Sequence, residues 1–249
     1  MEYDLLEREL IQARLLSAIF ARTTHDQLVL KGGMALRALF GSMRYTKDID
    51  LGQDQSQPLR SLQRTMREAI ASATNGVLVD LEVSEPKQTE TTARWKVNGS
   101  TKRGTQISVT IEVSRRGVPT KDYLETRSYT PPKGALSTSV EINVYGAEAM
   151  AASKVFCLAN PNRTAPRDLY DLDLLIRMDV MPAKELLQVA DAATTIKAVW
   201  DKLEIITWEQ FNKEVVPFIE SGVRDQIDEE QFNEMRIRVG TTVEHWLEM

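Results

Sequence analysis

The stretch Lys31–Leu51, KGGMALRALFGSMRYTKDIDL, decides how the rest of the chain is read. Ahead of it, Leu28-Val29-Leu30 is a short apolar run of strand type, and Gly32-Gly33 opens a helical pattern from about Met34 to Phe40 that Gly41 ends. A glycine pair at such a junction lets the backbone approach a phosphate closely, and the helix behind it aims amide groups and the positive end of its dipole at that anion. Lys31 adds a charge. Thr46 to Leu51 reads as the second strand. Because residues two apart on a strand face the same way, Asp48 and Asp50 project together while Ile49 and Leu51 turn to the core. Two carboxylates on one face make a hard-oxygen site suited to Mg²⁺ or Mn²⁺. A lone glycine pair is equally well explained as a tight turn; the Asp-Ile-Asp one helix later is what favours a phosphate and metal site. Arg44 stands just before that strand and is a further candidate contact to a nucleotide.

Two divalent ions held a few ångström apart need several anionic oxygens, so a third carboxylate is expected. Glu112 is the best placed, since in Ile107–Ser114 the residues Val109, Ile111 and Val113 face the core and Glu112 the opposite side. An exposed strand glutamate is the plain alternative, and Asp80 and Glu82 are weaker candidates on another strand. A second constellation lies further on: Glu148, Lys154 and Arg167-Asp168-Leu169-Tyr170-Asp171-Leu172. Lys154 shares a helix with an apolar face of Ala149, Met150, Ala152, Val155 and Phe156, so it is either a solvated lysine or a point charge for a triphosphate. Asp168 could equally serve the dipole of the helix it begins.

The 249 residues are 42% hydrophobic and 27% charged, the composition of a globular protein large enough to bury a substantial core. No run of about 18 apolar residues is available to cross a bilayer. The acidic start Met1-Glu2-Tyr3-Asp4 is unlike a signal peptide, so a cytoplasmic location and no membrane partner are expected. The single Cys157 excludes an internal disulfide, and with His25 and His245 it leaves too few soft ligands for structural zinc. The net charge of −5 argues against a generally basic nucleic-acid coat, yet residues 1–135 hold 20 Lys+Arg against 16 Asp+Glu, and residues 136–249 hold 11 against 20. The basic excess falls with the glycine pair and the Asp pair. Arg60, Arg64 and Arg67 recur at helical spacing as a stripe expected beside the active strand, with Lys102-Arg103 and Arg115-Arg116 as further clusters; solvated faces give the same pattern.

Periodicity predicts helices at 3–22 and from Pro58 to about Ala73, and strands near Gly76–Val83, Thr92–Val97, Gln106–Ser114 and Val140–Val144. A Pro-containing connection is expected over Gly117–Pro132, with Pro131-Pro132 as linker, followed by helices at about 147–159, 166–178, 182–203, 208–220 and 228–248. The expected fold class is α/β (α+β): a mixed sheet with flanking helices over 1–135, then a mostly helical domain over 136–249 that completes the active-site cleft.

The combination KGG-x-AL, R-x-T-x-DIDL, a downstream strand glutamate, a helix lysine and RDLYDL resembles the AbiEii/AbiGii nucleotidyltransferase-like toxin family, which includes the MenT toxins of the polymerase-beta-like superfamily. The resemblance covers roughly Leu28 to Ile176. It implies a nucleotidyltransferase with nucleotide binding at Gly32 and Gly33, metal binding at Asp48 and Asp50, a triphosphate-contacting Lys154 and a catalytic Asp168, with Asp171 as the fallback. It also implies a toxin of a toxin–antitoxin or phage-defence system, with an antitoxin as partner, that transfers NMP from an NTP to RNA, some relatives acting on tRNA acceptor ends. A protein hydroxyl as acceptor, phosphate transfer, and a non-catalytic interaction module are the alternatives. The wider superfamily often has Gly-Ser where this chain has Gly32-Gly33, and the last 70 or so residues match no motif.

Overall fold

The computed structural model describes residues 2–23, 27–163 and 166–249; His25 lies outside the described residues. The chain divides into two compact units, one of Met1–Gly41 and Tyr45–Tyr145, the other of Ser42–Arg44 and Gly146–Met249.

The described residues of the first unit form a seven-stranded mixed sheet. In chain order its strands are β1 (Val29–Lys31), β2 (Asp48–Gly52), β3 (Leu78–Gln88), β4 (Thr92–Thr101), β5 (Gln106–Ser114), β6 (Leu124–Tyr129) and β7 (Val140–Tyr145). They lie in the order β3-β4-β5-β2-β1-β7-β6. β2 is therefore central, antiparallel to β1 and parallel to β5. Its alternation sets the layers. Ile49 and Leu51, with Trp95 and Val97 of β4 and Val109, Ile111 and Val113 of β5, have no exposed surface. Helices α1 (Glu2–Phe20) and α3 (Leu59–Thr74) pack on one another, and α1 lies against β5. They bury Ile11, Leu15, Leu16 and Ile19 from α1 and Leu62, Met66 and Ile70 from α3. Each such aliphatic side chain contributes roughly 1.5–3 kcal/mol relative to leaving it in water. The short α2 (Gly32–Leu39) follows β1 directly, and its Arg37 makes an ion pair with Glu9 of α1 at 2.6 Å.

Two expectations need correction here. The stretch expected as a bare connection contains β6, which pairs antiparallel with β7. As an edge strand it needs no apolar alternation: only Leu124 and Tyr129 are apolar, five apart, and a period of two cannot be seen in LETRSY. The unit also runs on to Tyr145, past the proline pair, because Val144 pairs with Leu30 in a parallel ladder.

The second unit is helical: α4 (Ala147–Ala159), α5 (Pro166–Arg177), α6 (Ala192–Ile205), α7 (Trp208–Glu214), α8 (Ser221–Arg224) and α9 (Glu229–Glu248). The single helix expected over 182–203 is instead a 3₁₀ turn at Lys184–Leu187 followed by α6. Asp191 is the reason. Its carboxylate accepts from the Ala193 amide at 3.1 Å and caps a new helix rather than continuing an old one. Asp228 caps α9 in a reciprocal box with Gln231. Trp208, Phe211 and Phe232 form an aromatic cluster with centroids 5.1–6.2 Å apart. Residues Ser42–Arg44 belong to this unit through an Arg44–Ile219 bridge and the Glu220 amide, which donates to the Met43 carbonyl at 3.0 Å.

Gly240 on α9 faces the indole of Trp200 on α6 so closely that a Cβ there would lie 2.3 Å from the ring. The ring is pinned, since Trp200 Nε1 donates to Glu244 at 3.1 Å. Alanine would improve helix propensity by about 1 kcal/mol, whereas overpacking a fixed ring costs about 1–3 kcal/mol. Gly240→Ala is therefore expected to lower the unfolding free energy by about 1–2 kcal/mol, read from urea titration of tryptophan fluorescence.

Candidate active site

In the first unit the site grows from the β1–α2 turn and the β2 strand. Gly32 has φ +68°, a left-handed conformation that glycine takes without strain. A Cβ on Gly32 would stand 2.8 Å from Asp50 Oδ2. The turn and the carboxylate are thus in van der Waals contact, and any side chain at position 32 would both strain the backbone and displace Asp50. Lys31 sits directly opposite Asp50 in the β1–β2 ladder. Its Nζ lies 5.7 Å from the Tyr145 ring centroid, and burial pushes the Tyr145 phenol up to about 12, so that ring is neutral at physiological pH. Gly33 follows in the first turn of α2, whose amides point to the same end of the strands.

Asp48 and Asp50 are both half-buried, and the intervening Ile49 is sealed in the core. Glu112 on β5 is the register partner of Asp50, so the two carboxylates are neighbours across the parallel ladder. Glu112 is held by Arg94 of β4, its own partner across the β4–β5 ladder: Arg94 Nε donates to Glu112 Oε2 at 2.8 Å, and Nη2 donates to the same oxygen. Among the described residues no three carboxylate, imidazole or thiol groups stand close enough to form a ready-made metal cage. The donor set nevertheless fits Mg²⁺, which is commonly held by one or two carboxylates and completed by substrate phosphates. Asp80 and Glu82 lie on the outer strand β3, remote in the sheet order from β2. The Arg60, Arg64 and Arg67 stripe is on α3, in the helix layer over the apolar face, whereas Asp48 and Asp50 point away from that layer; Arg67 is occupied by Glu85 at 2.7 Å.

In the second unit, Lys154 is not a solvated helix lysine. It is 8% exposed, and its Nζ donates to Asp168 Oδ1 at 2.6 Å and to Asp171 Oδ2 at 2.7 Å. Arg44 closes the far side of Asp171 with a two-bond fork, Nε to Oδ1 at 2.9 Å and Nη2 to Oδ2 at 2.8 Å. Arg163 Nε donates to Asp168 Oδ2 at 2.8 Å, and Lys202 donates to the Arg163 carbonyl. The apolar residues of α4 and α5 make this possible: Leu169, Leu172 and Val155 seal the interior, and the spacing of 168 and 171 sets both acids on one face of α5. Burial alone would press Lys154 toward neutrality, but Asp171 and Asp168 outweigh it and hold its pKa above the ordinary lysine value. Burial likewise opposes the charge on Asp171, and Arg44 and Lys154 hold that carboxyl below the ordinary aspartate range.

The structure therefore brings Lys31, Gly32, Gly33, Asp48, Asp50 and Glu112 together in the sheet unit, and Arg44, Lys154, Asp168 and Asp171 together in the helical unit. Arg94 and Arg163 were not anticipated from sequence. Alternation along Thr92–Thr101 shows that Arg94 leaves the core, but only the strand register brings it onto Glu112.

The charge pairs fix a pH window. Asp171, with its pKa lowered, stabilises the fold above the unfolded value of about 3.9, and that stability is lost as pH falls through the depressed value. Lys154, with its pKa raised, stabilises below about 10.4, and that contribution is lost as pH rises through the raised value. Thermal melts should be flat in this contribution from about pH 5 to about pH 9. Lys154→Met leaves two buried carboxylates without their shared cation and is expected to cost about 3–5 kcal/mol at neutral pH, measured by chemical denaturation.

Comparisons with known proteins bear on the fold and the family. JHP933 from Helicobacter pylori superposes with a TM-score of 0.62 at 20% identity, covering 100% of this chain and 93% of that one. MenT4, a nucleotidyltransferase toxin from Mycobacterium tuberculosis, superposes with a TM-score of 0.59 at 16% identity, covering 99% of this chain and 93% of that one. At such identities the likeness is one of fold. Comparison with curated protein sequences gives no match. The profile of the family described as nucleotidyl transferase AbiEii toxin, type IV toxin–antitoxin system, matches residues 14–248. Since that span is nearly the whole chain, the protein belongs to the AbiEii nucleotidyl transferase toxin family of type IV toxin–antitoxin systems.

Proposed function

We propose that the protein transfers NMP from an NTP to the 3′-hydroxyl of an RNA, the acceptor end of tRNA being the favoured target, as the toxin of a cytoplasmic toxin–antitoxin pair. The observation that carries this reading is the packing of Asp50 Oδ2 against Gly32, which joins an anion-binding turn to a carboxylate pair in one rigid piece of backbone. No helix among the described residues is long and apolar enough to cross a membrane.

Nucleotidyl transfer asks a protein for positioning and charge neutralisation rather than for covalent help. Lys31 and the amides of Gly32 and Gly33 hold the β- and γ-phosphates. Asp48 and Asp50, with Glu112 beside Asp50, would hold Mg²⁺ or Mn²⁺, and two such ions would supply Lewis-acid stabilisation of the phosphoryl oxygens. Within the helical unit Lys154 holds a fixed positive charge that Asp168 orients, and Arg44 keeps Asp171 ionised beside it. The acceptor 3′-oxygen bonds to the α-phosphorus as the bond from that phosphorus to the bridging oxygen breaks. Pyrophosphate departs, and the hydroxyl proton passes through a carboxylate to water.

Incubation with total RNA, Mg²⁺ and each α-labelled NTP in turn should put label into RNA. Asp50→Ala is expected to reduce that incorporation by at least about 10³-fold, the scale of losing a central electrostatic element. Label retained by the Asp50→Ala protein would refute the site. Label appearing in protein, or only from γ-labelled NTP, would refute the RNA nucleotidyl reading in favour of a protein acceptor or phosphate transfer.

A further inference from the structure

Within the first unit α1 lies against β5, with α3 packed on α1, on the face where Ile49, Trp95 and Ile111 are buried. Residues opposite one another in a ladder share a face, so two rows can be read outward from the carboxylates. One runs Asp48, Thr110, Lys96, Ser84 and the other Asp50, Glu112, Arg94, Lys87. Between these rows on the opposite face lie Ile49, Trp95, Ile111 and their fully buried neighbours. On β4 and β5 the outward face is polar. On β4 it carries Arg94 and Lys96 and no acid between Thr92 and Thr101. Further along, Ser108 Oγ donates to Asn98 Oδ1 at 2.9 Å, and Gln106 donates to Ser100 at 2.9 Å, with the exposed Glu82 of β3 opposite Asn98.

We propose that this face of β4 and β5, centred on Lys96 and Arg94, is the track on which the backbone phosphates of the acceptor RNA lie as its 3′ end reaches Asp48 and Asp50. The proposal rests on the RNA-acceptor reading above and gives it a location. Charge selects the occupant. Arg94 is paired with Glu112 and Glu82 stands opposite Asn98, but Lys96 and Lys87 are exposed on the rows that start at the carboxylate pair, and these two cations complement a polyanion whose end must arrive there. Lys96 is two strands from Asp48, roughly 10 Å at ordinary strand spacing, which suits a phosphate close behind the reacting nucleotide. The aromatic residue of β4, Trp95, is sealed inside, so no ring on β4 or β5 offers a base a stacking platform. Binding is therefore through phosphate and sugar, tolerant of sequence and steeply dependent on salt. The arginines of α3 belong to the other face and take no part.

The test measures affinity of the full-length Asp50→Asn protein for a fluorescent single-stranded RNA with a free 3′-hydroxyl, across a range of salt. Adding Lys96→Glu should weaken binding about tenfold and lower the slope of log affinity against log salt by about one or more. Adding Arg64→Glu, an equal charge change on α3, should leave both unchanged. Unaltered affinity in the Lys96→Glu protein, or an equal loss in the Arg64→Glu protein, overturns the track. If the Asp50→Asn parent binds no RNA while wild type transfers label to protein, the track falls and the enzyme remains. If RNA binds as expected but label transfer is indifferent to Asp50, the track stands and the enzyme reading falls.

Discussion

The pleat of β2 is the constraint on which the sheet unit depends. It is the central strand, with β5 on one side and β1 on the other, so its backbone is committed to two ladders at once. A slip of one residue would carry Asp48 and Asp50 into the helix layer and expose Ile49 and Leu51. Burying unpaired carboxylates costs several kcal/mol each, and withdrawing two aliphatic side chains from the core adds a similar sum. The register that stabilises the fold is therefore the same one that presents the carboxylates. Gly32 adds a second lock, since its missing Cβ is the space in which Asp50 Oδ2 rests.

The helical unit solves a different problem. Its charged centre lies among apolar helices, where a lone ion would shed its charge. Arg44, Lys154 and Arg163 instead alternate with Asp168 and Asp171, each carboxylate bridging two cations. Such a cluster is not a strong source of stability compared with a well-packed apolar core of the same volume. What it provides is charge fixed in place at physiological pH.

Local pattern in the sequence was sufficient for β2, for the glycine turn and for most helices, because these rest on periods of two and 3.6 and on short-range backbone needs. It also showed which side of its strand Glu112 occupies. It could not show that Arg94 takes hold of Glu112, because that depends on β4 and β5 pairing with Arg94 opposite Glu112. Nor could it show that Arg44, written next to the Asp pair, folds with the helical unit and grips Asp171. The edge strand β6 was invisible for a related reason: a strand with one neighbour and one solvated side need not advertise itself in hydropathy.

Lys154 shows how the buried cluster is held together. An ammonium has three N–H donors, and Asp168 and Asp171 each accept from it. The two carboxylates fix the direction of the ammonium and remove the rotamer freedom of a solvated lysine. The same arrangement explains the presence of Arg44. The bidentate guanidinium and the ammonium together hold Asp171 below the ordinary aspartate range against the cost of burial. A lysine at position 44 could supply the charge but not the two parallel bonds, so the orientation of Asp171, and through it of Lys154, depends on the planar fork.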